Sequence, residues 1–330
     1  MRDVPVKLSL LVMVGFVAPA LRPAFAHCQI GQVAEIPVET TGNVPLARAE
    51  VNGQSITVLI DTGSSQSVMW RPAAERLGLH LTAGPPTARL YGVGGESRLD
   101  VALIKELRFD KFTARDIRIP VAGDRAAKFE MLLGEDFWAA TSLELDLKHQ
   151  FIRMMEPKGC QSDELAYWAE TYSMADLVAP PGGARSIEVN VQLNGRTVRA
   201  RLDSGATVSL VSRWVADQTG VPYEATSAEI TGMGVKSLES WVGRFQTFSL
   251  GNETINNVQL RIAELGKNMK KEALGSRVQV SAAEAPDMLL GADFLHAHRL
   301  LIDNATRKVV FTYEGGPVFQ TSRPAQPSAQ

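Results

Sequence analysis

The sequence predicts a mostly β protein made of two similar lobes, and three observations carry that expectation. Asp-Thr-Gly at Asp61 and Asp-Ser-Gly at Asp203 each end an apolar strand, 142 positions apart. The same offset carries Asn52-Gly53 onto Asn194-Gly195 and Gly78 onto Gly220. Each copy then closes on a nearly identical apolar run, MLLGEDFW from Met131 and MLLGADFL from Met288. Coincident landmarks at one offset mark an internal duplication. Short alternating stretches bounded by Asn-Gly turns mark strands rather than helices.

The chain has 330 residues, 45% hydrophobic and 21% charged, ample for two lobes of ordinary size. Its 34 basic and 36 acidic residues are mixed along the sequence and leave a net charge of -2. That pattern offers no basic face for nucleic acid.

In chain order, residues 1–26 read as a secretory signal. Arg2 and Lys7 supply positive charge, LSLLVMVGFVAPAL supplies the apolar core, and Ala24-Phe25-Ala26 fits small-x-small cleavage. The expectation is an exported protein, periplasmic or secreted. Pro19 and Pro23 interrupt a stretch already shorter than the ~20 residues needed to span a bilayer. No later segment is long and apolar enough to span, so no stable membrane insertion is expected after cleavage. The residues before Cys28 do not fit lipid attachment. Cys28 and Cys160 can bridge in an oxidising compartment if the fold brings their Cα atoms within ~7 Å; two unrelated thiols are the other reading.

The first lobe is expected over residues 27–158. Asn52-Gly53 is a hairpin signal, and Ile56, Val58 and Ile60 of the following strand alternate toward a core. After Asp61 come a helix-like PAAERLGL and a glycine-rich hairpin, LYGVGGES, holding Tyr91, Gly92, Val93, Gly94 and Gly95. Residues 159–183 read as a linker that ends in Pro-Pro-Gly-Gly, with a short amphipathic helix through Leu165, Trp168 and Tyr172. The second lobe, 184–315, repeats the order. Val198, Ala200 and Leu202 face inward with Arg199 and Arg201 turned away, WVADQTGV follows, and ITGMGVKS supplies Gly232, Met233 and Gly234. This copy holds about fifteen extra residues, assigned to a solvated loop containing Lys267, Lys270 and Lys271. Residues 316–330 read as a flexible tail.

A carboxylate at the end of a buried strand needs hydrogen-bond partners. Gly63 and Gly205 let the backbone turn so that amides approach, and the hydroxyls of Thr62 and Ser204 are natural supporting donors. Ser64, where the other copy has Ala206, can give Asp61 one further bond and make it the more readily ionised of the two. If the lobes meet about a pseudo-twofold axis, Asp61 and Asp203 face each other, and two carboxylates ~3 Å apart cannot both ionise. One then activates water while the other protonates the scissile amide, with no metal and no covalent intermediate.

Together these motifs resemble the aspartic peptidases of the retropepsin and pepsin type. The resemblance implies two retropepsin-like β-barrel lobes in pseudo-twofold arrangement around a central cleft, with Asp61 and Asp203 catalytic. It implies that Leu132-Leu133-Gly134 and Leu289-Leu290-Gly291 cross beneath the catalytic loops and that the glycine-rich hairpins close as flaps over an extended polypeptide substrate. It further implies a monomer acting as an intramolecular pseudo-dimer, without a cofactor. Gly92-Val93-Gly94-Gly95 looks like a retropepsin flap tip, whereas fusion of both lobes in one chain is pepsin-like. In the second flap Val235 replaces the last glycine.

Asp136 and Asp293, and Asp146 and Asp303, recur at matching places and read as turn or cap residues. His296 and His298 are poorly spaced for a metal, and Trp70 reads as core or a pocket wall. Two other readings fit parts of the pattern. An actin-like phosphotransferase also carries Asp-x-Gly-Ser/Thr after a strand, but it needs long α/β segments. A catalytically silent module could hold a peptide in the same cleft by strand addition.

Overall fold

The computed structural model describes residues 28–84, 89–92, 95–123, 128–180, 186–230, 238–265 and 285–319. The signal segment, Val93 and Gly94 of the first flap, Gly232, Met233 and Gly234 of the second, the lysine loop and the end of the tail lie outside them.

The first lobe runs β1 (Gln29–Thr41), β2 (Val44–Val51), β3 (Gln54–Ile60), β4 (Val68–Trp70), α1 (Arg71–Arg76), β5 (Leu81–Ala83), β6 (Arg89–Gly92), β7 (Gly95–Arg98), β8 (Asp100–Phe109), β9 (Phe112–Ala122), β10 (Met131–Leu133), α2 (Glu135–Trp138), β11 (Ser142–Asp146) and β12 (Phe151–Lys158). The second runs β13 (Ser173–Val178), β14 (Glu188–Leu193), β15 (Arg196–Leu202), β16 (Leu210–Ser212), α3 (Arg213–Thr219), β17 (Tyr223–Ile230), β18 (Leu238–Leu250), β19 (Glu253–Ala263), β20 (Met288–Leu290), α4 (Ala292–Ala297), β21 (His298–Asp303) and β22 (Lys308–Tyr313).

Each lobe closes a barrel of six strands. In the first, the neighbours are β2, β3, β10, β4, β9, β8 and β2 again. In the second they are β14, β15, β20, β16, β19, β18 and β14. The two barrels thus share one strand topology. At both Asn-Gly turns the asparagine and glycine have positive φ, 49° and 83° in the first lobe and 49° and 77° in the second, the conformation a two-residue hairpin needs. Ile56, Val58 and Ile60, with Val198, Ala200 and Leu202, fill the two barrels, as the alternation requires.

An antiparallel base sheet joins the lobes in the order β1, β12, β11, β21, β22, β13. Its central pair, β11 and β21, sets Leu143 opposite Ile302 and Asp146 opposite Arg299. The segment 159–183, expected as a linker, contributes β13 to this sheet. β13 is the counterpart of β1: each leaves the base to pair with the first barrel strand of its own lobe. The helix expected in the same segment is a single 3-10 turn, Ser162–Glu164, capped reciprocally by Gln161 and Glu164. Leu165 is buried against Met155, Leu301 and Val310, and the Trp168 Nε1–H donates to Thr312 Oγ1 at 2.8 Å. The stretch is fixed at both ends, by Cys160, which is bonded to Cys28, and by β13.

Candidate active site

Asp61 and Asp203 leave the ends of β3 and β15, beside the inserted strands β10 and β20. Leu133 pairs with Ile60 in parallel, as Leu290 does with Leu202. Beyond the strands, the Asp61 amide donates to the Leu133 carbonyl and the Asp203 amide to the Leu290 carbonyl, both at 2.9 Å. The crossing chain then needs glycine. A Cβ on Gly134 would lie 2.6 Å from the Gln66 carbonyl, and one on Gly291 would lie 2.5 Å from the Val208 carbonyl carbon.

Each carboxylate is cradled by its own loop. Asp61 Oδ1 accepts from the amides of Gly63 at 2.9 Å and Ser64 at 3.1 Å. Asp203 Oδ1 accepts from Gly205 and Ala206, both at 3.0 Å. The loops also meet each other. A Cβ on Gly63 would fall 2.3 Å from Asp203 Cγ, and one on Gly205 would fall 2.6 Å from Asp61 Cγ. Only glycine allows this approach, and it sets the two carboxyl groups close enough that each acts on the other's ionisation.

The threonine and serine of the two motifs do something other than the sequence suggested. Their hydroxyls do not support the carboxylates but lace one loop to the other. Thr62 Oγ1 donates to the Leu202 carbonyl at 2.8 Å and accepts from the Ser204 amide at 3.0 Å. Ser204 Oγ donates to the Ile60 carbonyl at 2.6 Å and accepts from the Thr62 amide at 3.0 Å. Both side chains are fully buried, so these bonds satisfy backbone groups that water cannot reach. Ser64 Oγ likewise turns away and donates to the Gln66 carbonyl at 2.8 Å; the extra bond to Asp61 expected from it is not made.

A further repeated support was missed in the sequence. Ser67 donates its amide and hydroxyl to Asp136 Oδ1, both at 2.7 Å, and accepts from the Gly134 amide at 3.1 Å. Ser209, Asp293 and Gly291 repeat the arrangement at 2.8, 2.6 and 2.9 Å. Ser67 and Ser209 obey the offset of the two aspartate motifs, so the repeat itself was the signal. Asp146 and Asp303 accept from His149 and Thr306 in the two base-sheet hairpins.

The profile of a family described as "Aspartyl protease" matches residues 47–137 and 189–294, taking in both cradles and both crossing strands. The chain belongs to the aspartyl protease family. No curated protein matches it in sequence. Among solved structures it is similar to the crystal structure of aspartic proteinase from Irpex lacteus, at 12% identity and a TM-score of 0.50, over 90% of this chain and 100% of that one. At that identity the likeness is one of fold.

The electrostatics of this aspartyl protease are not symmetric. Burial pushes the Asp61 carboxyl up to about 8, reinforced by the charge of Asp203 beside it and opposed by the Gly63 and Ser64 amides. Burial also raises Asp203, but the nearby Arg201 charge, the Ala206 and Gly205 amides and the side chain of Asp61 draw it back. The Ser64 bond from which Asp61 was expected to be the more readily ionised member is not made, whereas the charge of Arg201 acts on Asp203 and favours its ionised form.

Other candidate residues are dispersed. The first flap keeps hairpin register, with Tyr91 opposite Glu96 and Gly92 opposite Gly95. Ile230 opposite Leu238 brackets the second. Cys28 and Cys160 are joined, with Cα atoms 4.2 Å apart. His296 Nε2 meets the Asn43 carbonyl, while His298 meets the Phe294 carbonyl and Glu253. Trp70 is buried beside Phe129.

Proposed function

We propose that this chain is an exported aspartic endopeptidase that hydrolyses peptide bonds of an extended polypeptide with water activated between Asp61 and Asp203. The observation that carries the reading is the close approach of two carboxyl groups, each cradled by two amides of its own loop and packed against the glycine of the other. Such a pair holds one proton between its two apparent pKa values. Asp203, ionised, takes a proton from water as the water attacks the carbonyl carbon. Asp61, protonated, hydrogen-bonds the carbonyl oxygen and gives up its proton as charge develops there. Collapse of the hydrated amide returns a proton to the leaving nitrogen and restores the singly protonated pair. The attacking atom is water oxygen, so no acyl-enzyme forms.

Export is supported by the signal-like residues 1–26 and by the bridge between Cys28 and Cys160, since such bonds persist in oxidising compartments. A polypeptide substrate is supported by family membership and by the separate two-stranded sheet of β6 and β7, whose backbone can line an extended chain. The test is incubation with a peptide library from about pH 3 to pH 8, with fragments read by mass spectrometry. Fragments are expected from the wild-type chain and none from Asp61→Asn. A folded wild-type chain that binds peptides but releases no fragments would leave the silent binding module in place of this reading.

A further inference from the structure

One pair of positions beneath the two aspartates breaks the likeness of the two lobes chemically. In the first lobe, the residue two before Asp61 is Leu59, and its partner across the strands is Leu46. The same positions in the second lobe are Arg201 and Glu188. An apolar contact in one copy is thus an ion pair in the other.

The ion pair is built rather than incidental. The Glu188 side chain is fully buried, and its Oε1 accepts from Arg201 at 2.9 and 3.2 Å and from Ser186 Oγ at 2.9 Å. Arg199 Nε lies 3.2 Å from Oε2. A carboxylate so enclosed is tolerable only with this set of partners. Held from behind, the Arg201 guanidinium reaches across the lobe boundary, and Nη1 donates to the Gly63 carbonyl at 3.5 Å. Gly63 is the residue packed directly on the Asp203 carboxyl. The cation therefore lies against the place where the first catalytic loop touches the second aspartate, and Leu59 provides nothing comparable for Asp61.

We propose that Arg201, held by Glu188, is a positioning residue that makes Asp203 the ionised member of the pair and Asp61 the proton carrier. Among the described residues, the charged groups around Asp203 are Asp61 across the boundary and Arg201 on its own strand. Glu188 and Arg199 lie behind Arg201, and Asp293 with Arg261 stands beyond Ser209 on the far side of the loop. Of the cations, only Arg201 also touches the opposing catalytic loop. An opposite charge beside a carboxylate favours its ionised form. Glu188 neutralises part of the Arg201 charge, so the effect on proton affinity is on the order of tenfold rather than more.

This inference rests on the two-aspartate reading but is testable without turnover. Aspartate 13C-carboxyl resonances are titrated by NMR in the full chain, with the pair's signals assigned by difference against Asp61→Asn and Asp203→Asn. Arg201→Leu is expected to raise the lower of the pair's two apparent pKa values about tenfold in proton affinity. Glu188→Leu/Arg201→Leu, which rebuilds the apolar pair of the first lobe and guards against misfolding of the single variant, should move it in the same direction by less. Arg201→Lys should lie near wild type. If the titration is unmoved in both leucine variants, or moves downward, Arg201 is only a structural ion pair and the proposal fails. Cleavage recorded on the same samples separates the two ideas: a wild-type chain that cuts nothing counts against the peptidase, whereas an unmoved titration counts against Arg201.

Discussion

Ser204 and Ser64 are both hydroxyls within three residues of the paired aspartates in their own lobes, yet their removal should have very different consequences. Ser204→Ala strips the partner from the Ile60 carbonyl and from the Thr62 amide, both held across the lobe boundary at 2.6 and 3.0 Å. Thr62 and Ser204 are fully buried, so water cannot take over. Each orphaned buried group costs ~1–3 kcal/mol, which places the loss at about 2–6 kcal/mol. Ser64→Ala removes a single bond to the Gln66 carbonyl within one loop, from a half-buried residue, and belongs with substitutions worth less than ~0.5 kcal/mol. Urea unfolding of the two variants beside wild type reads the difference as a shift of midpoint at unchanged slope. Thr62→Ser, which keeps the hydroxyl, should cost much less than Thr62→Ala. A Ser204→Ala midpoint equal to that of Ser64→Ala would refute the claim that these hydroxyls clamp the lobes together.

The same structure sets other expectations. Asp61 holds its proton up to about 8 when folded, against an ordinary value of 3.8 for the unfolded chain. The folded chain therefore binds more protons than the unfolded one between those values, and this group's contribution makes stability fall as pH rises through that window. Asp61→Asn should raise the melting temperature at pH 7 and leave it nearly unchanged at pH 3; no gain at pH 7 would contradict the assignment. Cleavage should decline on the basic side near pH 8, and Ser64→Ala should leave the acid limb in place, as pH profiles of kcat/KM will read. Gly134→Ala drives a Cβ into the Gln66 backbone at 2.6 Å and should destabilise by more than about 2 kcal/mol, whereas Gly78→Ala, with φ of +65° and nothing nearby, should cost only about 1 kcal/mol. Replacing Cys28 and Cys160 by alanine opens a link of sequence separation 132 and should cost about 2–5 kcal/mol in thermal unfolding.

The sequence carried the two-lobed β architecture, the two aspartates and the Leu-Leu-Gly crossings, because each shows as a local pattern repeated at a readable offset. It did not disclose where hydroxyls point. Thr62 and Ser204 were legible as partners of something, but the choice between a neighbouring carboxylate and a carbonyl of the other lobe depends on how closely the loops approach. Gly63 and Gly205 set that approach, through contacts made only after both lobes fold. β13 was hidden for a related reason: its partner β22 lies far along the chain, and SMADLV has no strict alternation. Arg201 was placed correctly on the outward face, yet its importance comes from Glu188 and from Gly63 across the boundary, neither of which is near it in sequence.

The central claim is that Asp61 and Asp203 act as one pair within one chain. The most direct measurement is cleavage of a single defined peptide by wild type, by Asp61→Asn, by Asp203→Asn, and by an equimolar mixture of the two variants. The account predicts that each folded variant loses activity by a factor of roughly a thousand or more, and that the mixture stays equally inactive because neither chain can borrow its missing carboxylate. Near-normal cleavage by either variant, or activity recovered on mixing, would contradict it.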